Sequence, residues 1–260
     1  MPQDDWITPG WSAPPHVHAV CTTRSGGVSR GQYQSMNPAD HVNDDISLVR
    51  KNRLLLQQQL GLFSSPAWLQ QYHSSTIIDL DREQQKFRAD GSTTSAADKV
   101  CVVMTADCLP VLLTDRQGSR VAALHAGWRG LAQGILEAGI ARFHANAEIL
   151  AWLGPAIGPD KFEVGEEVIE QLSTAGIQQH LWCRKAGHAD NKEKWLVDLY
   201  QLARLRLRLA GVTEISGGGY CTFTDDQRFF SYRRQGECGR MASLIWISDH
   251  RAADERTSPF

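Results

Sequence analysis

What this chain lacks narrows its possibilities first. Nowhere in its 260 residues is there an apolar run approaching the roughly 18 needed to span a bilayer. The amino end has neither the positively charged start nor the apolar core of a signal peptide. The expectation is a soluble protein of the cytoplasm. Surplus positive charge is also missing. With 27 Lys and Arg against 29 Asp and Glu, the formal net charge is −2, which removes the electrostatic case for gripping nucleic acid or an anionic membrane. Small molecules are the expected partners. Six cysteines, at 21, 101, 108, 183, 221 and 238, include no Cys-x-x-Cys pair, so reduced thiols are the default. Internal repeats, low-complexity blocks and linkers are absent as well. We therefore read residues 1–250 as one domain and 251–260 as a flexible tail. The composition, 42% hydrophobic and 22% charged, is ordinary for a globular protein with a sizeable core.

What is present concentrates between Val100 and Leu131. Two β-rich apolar runs, Val100–Met104 and Leu109–Thr114, flank Thr105-Ala106-Asp107-Cys108, and a third, Val121–His125, runs into a glycine-marked turn. Chemistry-capable residues thus sit where strands end. If the second and third runs form a hairpin around Asp115-Arg116-Gln117-Gly118, Cys108 falls directly opposite His125. Opposed Cα atoms lie roughly 4.5–5.5 Å apart, near enough for the two side chains to share a metal or exchange a proton. The plainer alternative is a small buried thiol beside an ordinary strand-end histidine.

The rest of the chain supplies scaffold and candidate anion sites. Met1–Pro15 reads as an irregular arm before a strand at Val17–Thr22. Arg24 adjoins Gly26-Gly27, whose backbone N–H groups can converge on an anion or simply make a tight turn. Asp44 and Asp45 can cap a helix bearing Ile46, Val49, Leu56 and Leu60, stopped by Gly61. Trp68–Ile78 drifts toward a strand, with His73 near its start or at a bend. Residues 83–95 are polar enough for a surface loop, with a turn at Asp90-Gly91 and an acid that could face the site. A helix is expected over Gly130–Ala145, its amino end and Arg129 forming an anion cradle. Further helices are expected at Val164–Ser173 and Trp195–Leu209, and strands at Glu148–Leu153, Glu214–Ser216 and Ala242–Ser248. Arg233, Arg234 and Arg240 are able to bind phosphate or carboxylate, or to pair with structural acids.

Several ordered motifs then resemble one family, the YfiH-type proteins, also known as polyphenol oxidase or laccase-domain proteins. They are Thr-Arg-Ser-Gly-Gly-Val-Ser (23–29), Gln-Tyr-His (71–73), Thr-Ala-Asp-Cys-Leu-Pro-Val-Leu (105–112), His-Ala-Gly-Trp-Arg-Gly (125–130), Gly-Pro-Ala-Ile-Gly (154–158), Cys-Thr (221–222), and Phe-Phe-Ser-Tyr-Arg-Arg (229–234) with Gly-Arg (239–240). The similarity runs from about Val17 to Ile247. It departs from the family at Pro38, where Leu is frequent after Asn37, and at Asn43, which replaces a common Gly. The resemblance implies an α+β fold of layered mixed β-sheets flanked by helices, of α/β/β/α type. It also implies a zinc site at His73, Cys108 and His125, with copper as a second possible ion. The implied chemistry is phosphorolysis of adenosine, inosine, guanosine and methylthioadenosine, together with hydrolytic deamination of adenosine; the sequence leaves monomer and homodimer both open.

Two imidazoles and one thiolate suit zinc and leave a fourth position open. Asp107 or Asp90 is a candidate for managing protons, and Arg24, Arg129 and Arg233 for holding phosphate, Arg129 foremost for its closeness to His125. Two other readings remain. A multicopper phenol oxidase needs many more imidazoles than nine histidines conveniently supply, His16-Val-His18 being the one paired motif. A metal-free hydrolase would use Cys108 as nucleophile and His125 as base on an amide such as a peptidoglycan precursor.

Overall fold

The structure is a computed structural model that describes residues 5–82, 87–97, 99–189 and 192–248. The tail expected at 251–260 lies outside the described residues. In chain order the elements are β1 (Val17–Cys21), α1 (Ile46–Gln59), β2 (Ile77–Asp79), β3 (Gly91–Thr94), β4 (Val100–Thr105), β5 (Leu109–Asp115) and β6 (Val121–Ala126). They continue with α2 (Trp128–Ala132), α3 (Ile135–Ile140), β7 (Ile149–Leu153), β8 (Glu163–Gly165), α4 (Glu166–Leu172), β9 (Cys183–Ala189), β10 (Lys192–Val197), α5 (Leu199–Leu209), β11 (Glu214–Gly217), α6 (Tyr232–Gln235) and β12 (Met241–Ile247).

Alternating side chains sort these strands into layers. The large sheet has order β11-β7-β5-β6-β3-β2, parallel at its two edge pairs and antiparallel between. One of its faces, with Val111, Leu113, Ala122 and Leu124, packs on Leu131, Ile135, Leu202 and Leu207 of the helices. Leu112, Val121, Ala123 and Trp152, on the opposite face, meet Cys101, Val103, Met241 and Ile245 of the antiparallel sheet β1-β12-β4. The outer face of that second sheet, with Val20, Val102 and Leu244, is covered by Trp6 and by Leu56 of α1. Helix, sheet, sheet, helix is the four-layer α/β/β/α order the resemblance implies. A small antiparallel sheet, β8-β10-β9, adds Val164, Cys183 and Val197 to the helix-side core.

Local signals hold at most boundaries. Asp45 caps α1 by accepting the Ser47 N–H at 2.7 Å, and Asp198 caps α5 by accepting from Gln201 at 2.9 Å. The arginines of α5 serve packing: Arg206, 7% exposed, donates to Glu137 of α3 at 2.8 Å and to the Leu131 carbonyl.

Four expectations need correction. The hairpin pairs Leu109 with Ala126 and Pro110 with His125, two residues away from the expected register. Asp115 extends β5 by pairing with Ile149 and accepts the Ser119 N–H at 2.6 Å, which lengthens the loop. A slip of two keeps every side chain on its own face, so Cys108 still reaches His125 along the diagonal. The 83–95 stretch ends not in a surface loop but in β3, whose four residues are all buried. Gly91 is needed there because a Cβ would sit 2.9 Å from Leu124 and 3.0 Å from Ile77. The helix expected over Gly130–Ala145 is two short ones starting at Trp128, broken where Gly134 takes a φ of +85°. Trp195–Val197 belong to β10, not to a helix, because Trp195 and Leu196 pair with Val164 and Glu163 of β8.

Candidate metal centre

Three segments deliver three candidate ligands to one point. His73 comes from the bend before β2, Cys108 from the corner between β4 and β5, and His125 from the end of β6. One donor atom from each lies within 4.8 Å of the others. Cys108 Sγ is 3.9 Å from His73 Nε2, and the two imidazoles meet edge to face with centroids 4.8 Å apart. Among the described residues this is the one such His/Cys/acid grouping.

Asp90, the residue before β3, organises the group. It is fully buried, and its carboxylate accepts from the backbone N–H groups of His73 at 2.9 Å, Ser74 at 2.7 Å and Tyr72 at 3.3 Å, and from the Ser74 hydroxyl at 2.7 Å. The remaining interaction is with His125 Nδ1 at 2.8 Å. Burial alone would push this acid up, but His125 and the Ser74 donors outweigh it and hold the group at about 2. An ionised carboxylate only accepts, so Nδ1 of His125 carries the proton and Nε2 is left as the metal donor. This carboxylate–histidine pairing is the usual outer support of a metal ligand. Asp90 also accepts the His125 backbone N–H through its own carbonyl, at 2.7 Å.

The thiol is primed in the same way. Burial raises the Cys108 thiol, yet the charge and hydrogen bonding of His125, helped by His73, bring it down to about 6. Burial likewise lowers His125, and the Cys108 thiolate and Asp90 reverse this, raising it to about 9. The two groups thus favour each other's charged forms.

Backbone geometry serves the same convergence. His73 and Asp107 have φ of +62° and +87°, conformations that cost non-glycine residues roughly 1–3 kcal/mol each. Gln71 holds the His73 bend, its amide donating to the Met104 carbonyl at 2.9 Å and accepting the Met104 N–H at 2.7 Å. Gly127 makes room, since a Cβ there would lie 2.8 Å from Cys108 Sγ and 3.3 Å from His73 Cδ2.

The donor set fits a divalent ion. Tetrahedral zinc with two nitrogens and one sulfur needs donors roughly 3.6 Å apart, a small contraction from the separations observed. The open side of the triad faces a cleft of about 470 Å³, which leaves a coordination position toward ligand.

Other candidate residues divide clearly. Asp107 lines the cleft, but its carboxylate accepts from Thr222 Oγ1 at 2.6 Å and from the Arg233 N–H at 2.6 Å, tying three segments together. Arg129 and Arg233 line the cleft with Arg240. None of the three forms a salt bridge among the described residues; each guanidinium lies over a ring, of Trp128, Phe162 and Tyr232 respectively, while Arg233 also donates to the Lys161 carbonyl at 3.3 Å and Arg240 to the carbonyls of Cys238 at 2.7 Å and Gly239 at 3.1 Å. Arg24 is not brought to the cleft. It donates to the carbonyls of Gln34 and Asp226 and lies over Phe230. Arg234 is likewise occupied by the carbonyls of Thr222, Phe223 and Phe229. His16 and His18 stand elsewhere, near Gly118 and Ser248. Sequence reasoning gave no role to Gln71, and none to His41, which also lines the cleft. An acid directly ahead of the Gly-Ser-Thr-Thr run was the one signal for Asp90, and His41 carried none.

Comparison with known proteins gives the family of the chain. Residues 18–248 match the family described as multi-copper polyphenol oxidoreductase laccase. The chain is 48% identical over 242 residues to a purine nucleoside phosphorylase of Haemophilus influenzae, covering 93% of this chain and 98% of that protein. It is 47% identical over 243 residues to the purine nucleoside phosphorylase YfiH of Escherichia coli, covering 93% and 98%. A crystal structure of a Neisseria meningitidis protein superposes with a TM-score of 0.85 at 44% identity, covering 95% of this chain and all of that one. YlmD of Geobacillus stearothermophilus gives a TM-score of 0.85 at 29% identity, covering 96% and 98%. Layer order and these likenesses agree, and the chain belongs to the laccase-like YfiH family.

Proposed function

We propose that this chain is a cytoplasmic, zinc-dependent purine nucleoside phosphorylase that also deaminates adenosine. The observation that carries the reading is the His73/Cys108/His125 triad, backed by Asp90, at the floor of a cleft with three guanidiniums unpaired by acids. Six free cysteines among the described residues suit a reducing compartment, and no helix there is long and apolar enough to cross a membrane.

Zinc in such a site supplies a Lewis acid with one position open to reactants. The chain's own residues do the rest. Asp90 keeps His125 in one tautomer, so its ring cannot rotate away. Arg129 presents its N–H donors to a phosphate, and Arg233 and Arg240 add those that the carbonyls of Lys161, Cys238 and Gly239 leave over, with their planes held against aromatic rings. Asp107 holds the start of α6, and with it Arg233, against the corner that carries Cys108. A role for Asp107 in moving protons is weaker than this positioning role, because both of its oxygens are engaged. A ligand-bound Cys108 is not free to act as a nucleophile.

Chromatography of adenosine incubated with and without phosphate tests the proposal. Adenine with ribose 1-phosphate reports phosphorolysis and inosine reports deamination; the absence of both products overturns it. A second reading has one observation in its favour: Cys108, His125 and Asp90 stand in the order nucleophile, base, orienter. Amide hydrolysis that survives exhaustive chelation would select that alternative. A copper phenol oxidase finds no second imidazole cluster among the described residues.

A further inference from the structure

The loop of residues 37–44 is fastened with more polar bonding than any packing need explains. Asn37 and Asn52 are both fully buried. Asn37 accepts the N–H of Arg240 and of Ala39, each at 3.1 Å, and donates to Asp44 at 2.8 Å. Asn52, from α1, donates to the Asn37 carbonyl at 2.9 Å and to Ser29 Oγ at 2.9 Å. Arg53 donates to the Pro38 carbonyl at 2.7 Å and pairs with Asp40 at 3.0 Å. Buried amides are costly unless satisfied, so this knot specifies one loop conformation. The single residue of that loop lining the cleft is His41, its side chain 45% exposed.

His41 is also the cleft imidazole that no other task claims. His73 and His125 are committed to the triad, Asp107 to Thr222 and Arg233, and guanidiniums do not release protons at neutral pH. Breaking the bond between a purine and its sugar needs a proton for the departing base. Resting on the phosphorylase reading above, we propose that His41 is a catalytic residue that donates a proton to N7 of the leaving purine. The C1′–N9 bond breaks with its electron pair passing to the purine, a phosphate oxygen forms the new bond to C1′, and N7 takes the His41 proton. Phosphate gives up one proton on becoming the monoester dianion, and that proton restores His41. The charged and titratable groups facing the ring are Asp40 on its own loop at 3.9 Å, Arg53 of α1, Arg240 before β12 and His125 of β6. Burial and Arg240 draw the imidazole below its ordinary range in the free protein, with Asp40 opposing. A bound phosphate adds the same sign as Asp40.

The test compares guanosine with 7-methylguanosine, whose N7 is already alkylated and positively charged and whose base leaves without a proton. In the metal-loaded enzyme, His41→Gln is expected to lower kcat on guanosine by about 100-fold or more but on 7-methylguanosine by less than about fivefold. Bound metal should be unchanged, and His41→Asn should give the same ratio of losses. Equal losses on the two substrates, or undiminished guanosine turnover, overturn the assignment. If the unmodified protein phosphorolyses neither nucleoside, the phosphorylase reading fails, and the His41 role falls with it.

Discussion

The floor and the rim of the cleft are built on different principles. On the floor, Asp90 alone receives five donors, and the candidate ligands stand on strand ends or on backbone at positive φ. Around the rim, Arg129 and Arg233 are exposed and held mainly by ring faces. A ligand set misplaced by an ångström no longer closes around an ion, whereas a guanidinium can follow a phosphate through a range of geometries. Floor substitutions should therefore act through metal content and rim substitutions through substrate affinity.

The largest effect tests the floor. Cys108→Ala or His125→Ala should remove bound zinc, measured by elemental analysis, and lower both activities on the order of 1000-fold. Retention of activity without metal would erase the distinction between floor and rim. Asp90→Asn should come next, weakening metal affinity roughly 10–100-fold in competition with a chelator. The same variant has a pH signature. A carboxylate held at about 2 rather than 3.8 stabilises the fold by about 2 kcal/mol above pH 4 and loses that contribution as pH falls toward 2. Acid unfolding of the Asn variant should lack this component.

A third measurement sharpens the floor without mutation. In metal-stripped protein, alkylation of Cys108 should be half-maximal near pH 6 and decline below it as the thiolate takes a proton. Near pH 9, where His125 gives up its charge, the thiolate loses its partner but stays ionised. Zinc should suppress alkylation throughout. At the rim, Arg129→Ala should raise KM for phosphate about tenfold, as expected for one charged hydrogen bond, with zinc content constant. The smallest change belongs to Arg24→Ala. Its guanidinium serves the carbonyls of Gln34 and Asp226, so KM for phosphate should stay put while stability falls by about 1 kcal/mol.

Much of the floor was legible in the chain. Apolar runs located β4, β5 and β6, and the corner between them carries Cys108, because alternation and strand breaks report directly on burial. The exact pairing was not, since Asp115 turns its carboxylate onto Ser119 and lengthens the hairpin loop, a local bond that no periodicity records. β3 was missed for a related reason. Gly-Ser-Thr-Thr reads as solvent-facing, yet these small residues are buried where strands crowd, and Thr93 donates to the Val121 carbonyl at 2.8 Å. The rim was least legible. Arginines look alike in sequence whether they are spent on distant carbonyls, as Arg24 and Arg234 are, or line a cleft, as Arg129 does. His41 reaches the cleft only through asparagines that are buried in the fold.

The double hold of Asp90, carboxylate on the His73 bend and carbonyl on β6, has a consequence for how the protein lives with its ion. Protein contacts alone fix the spacing between the His73 bend and β6, so exhaustive chelation should leave the far-UV spectrum and the cooperative unfolding of the chain intact.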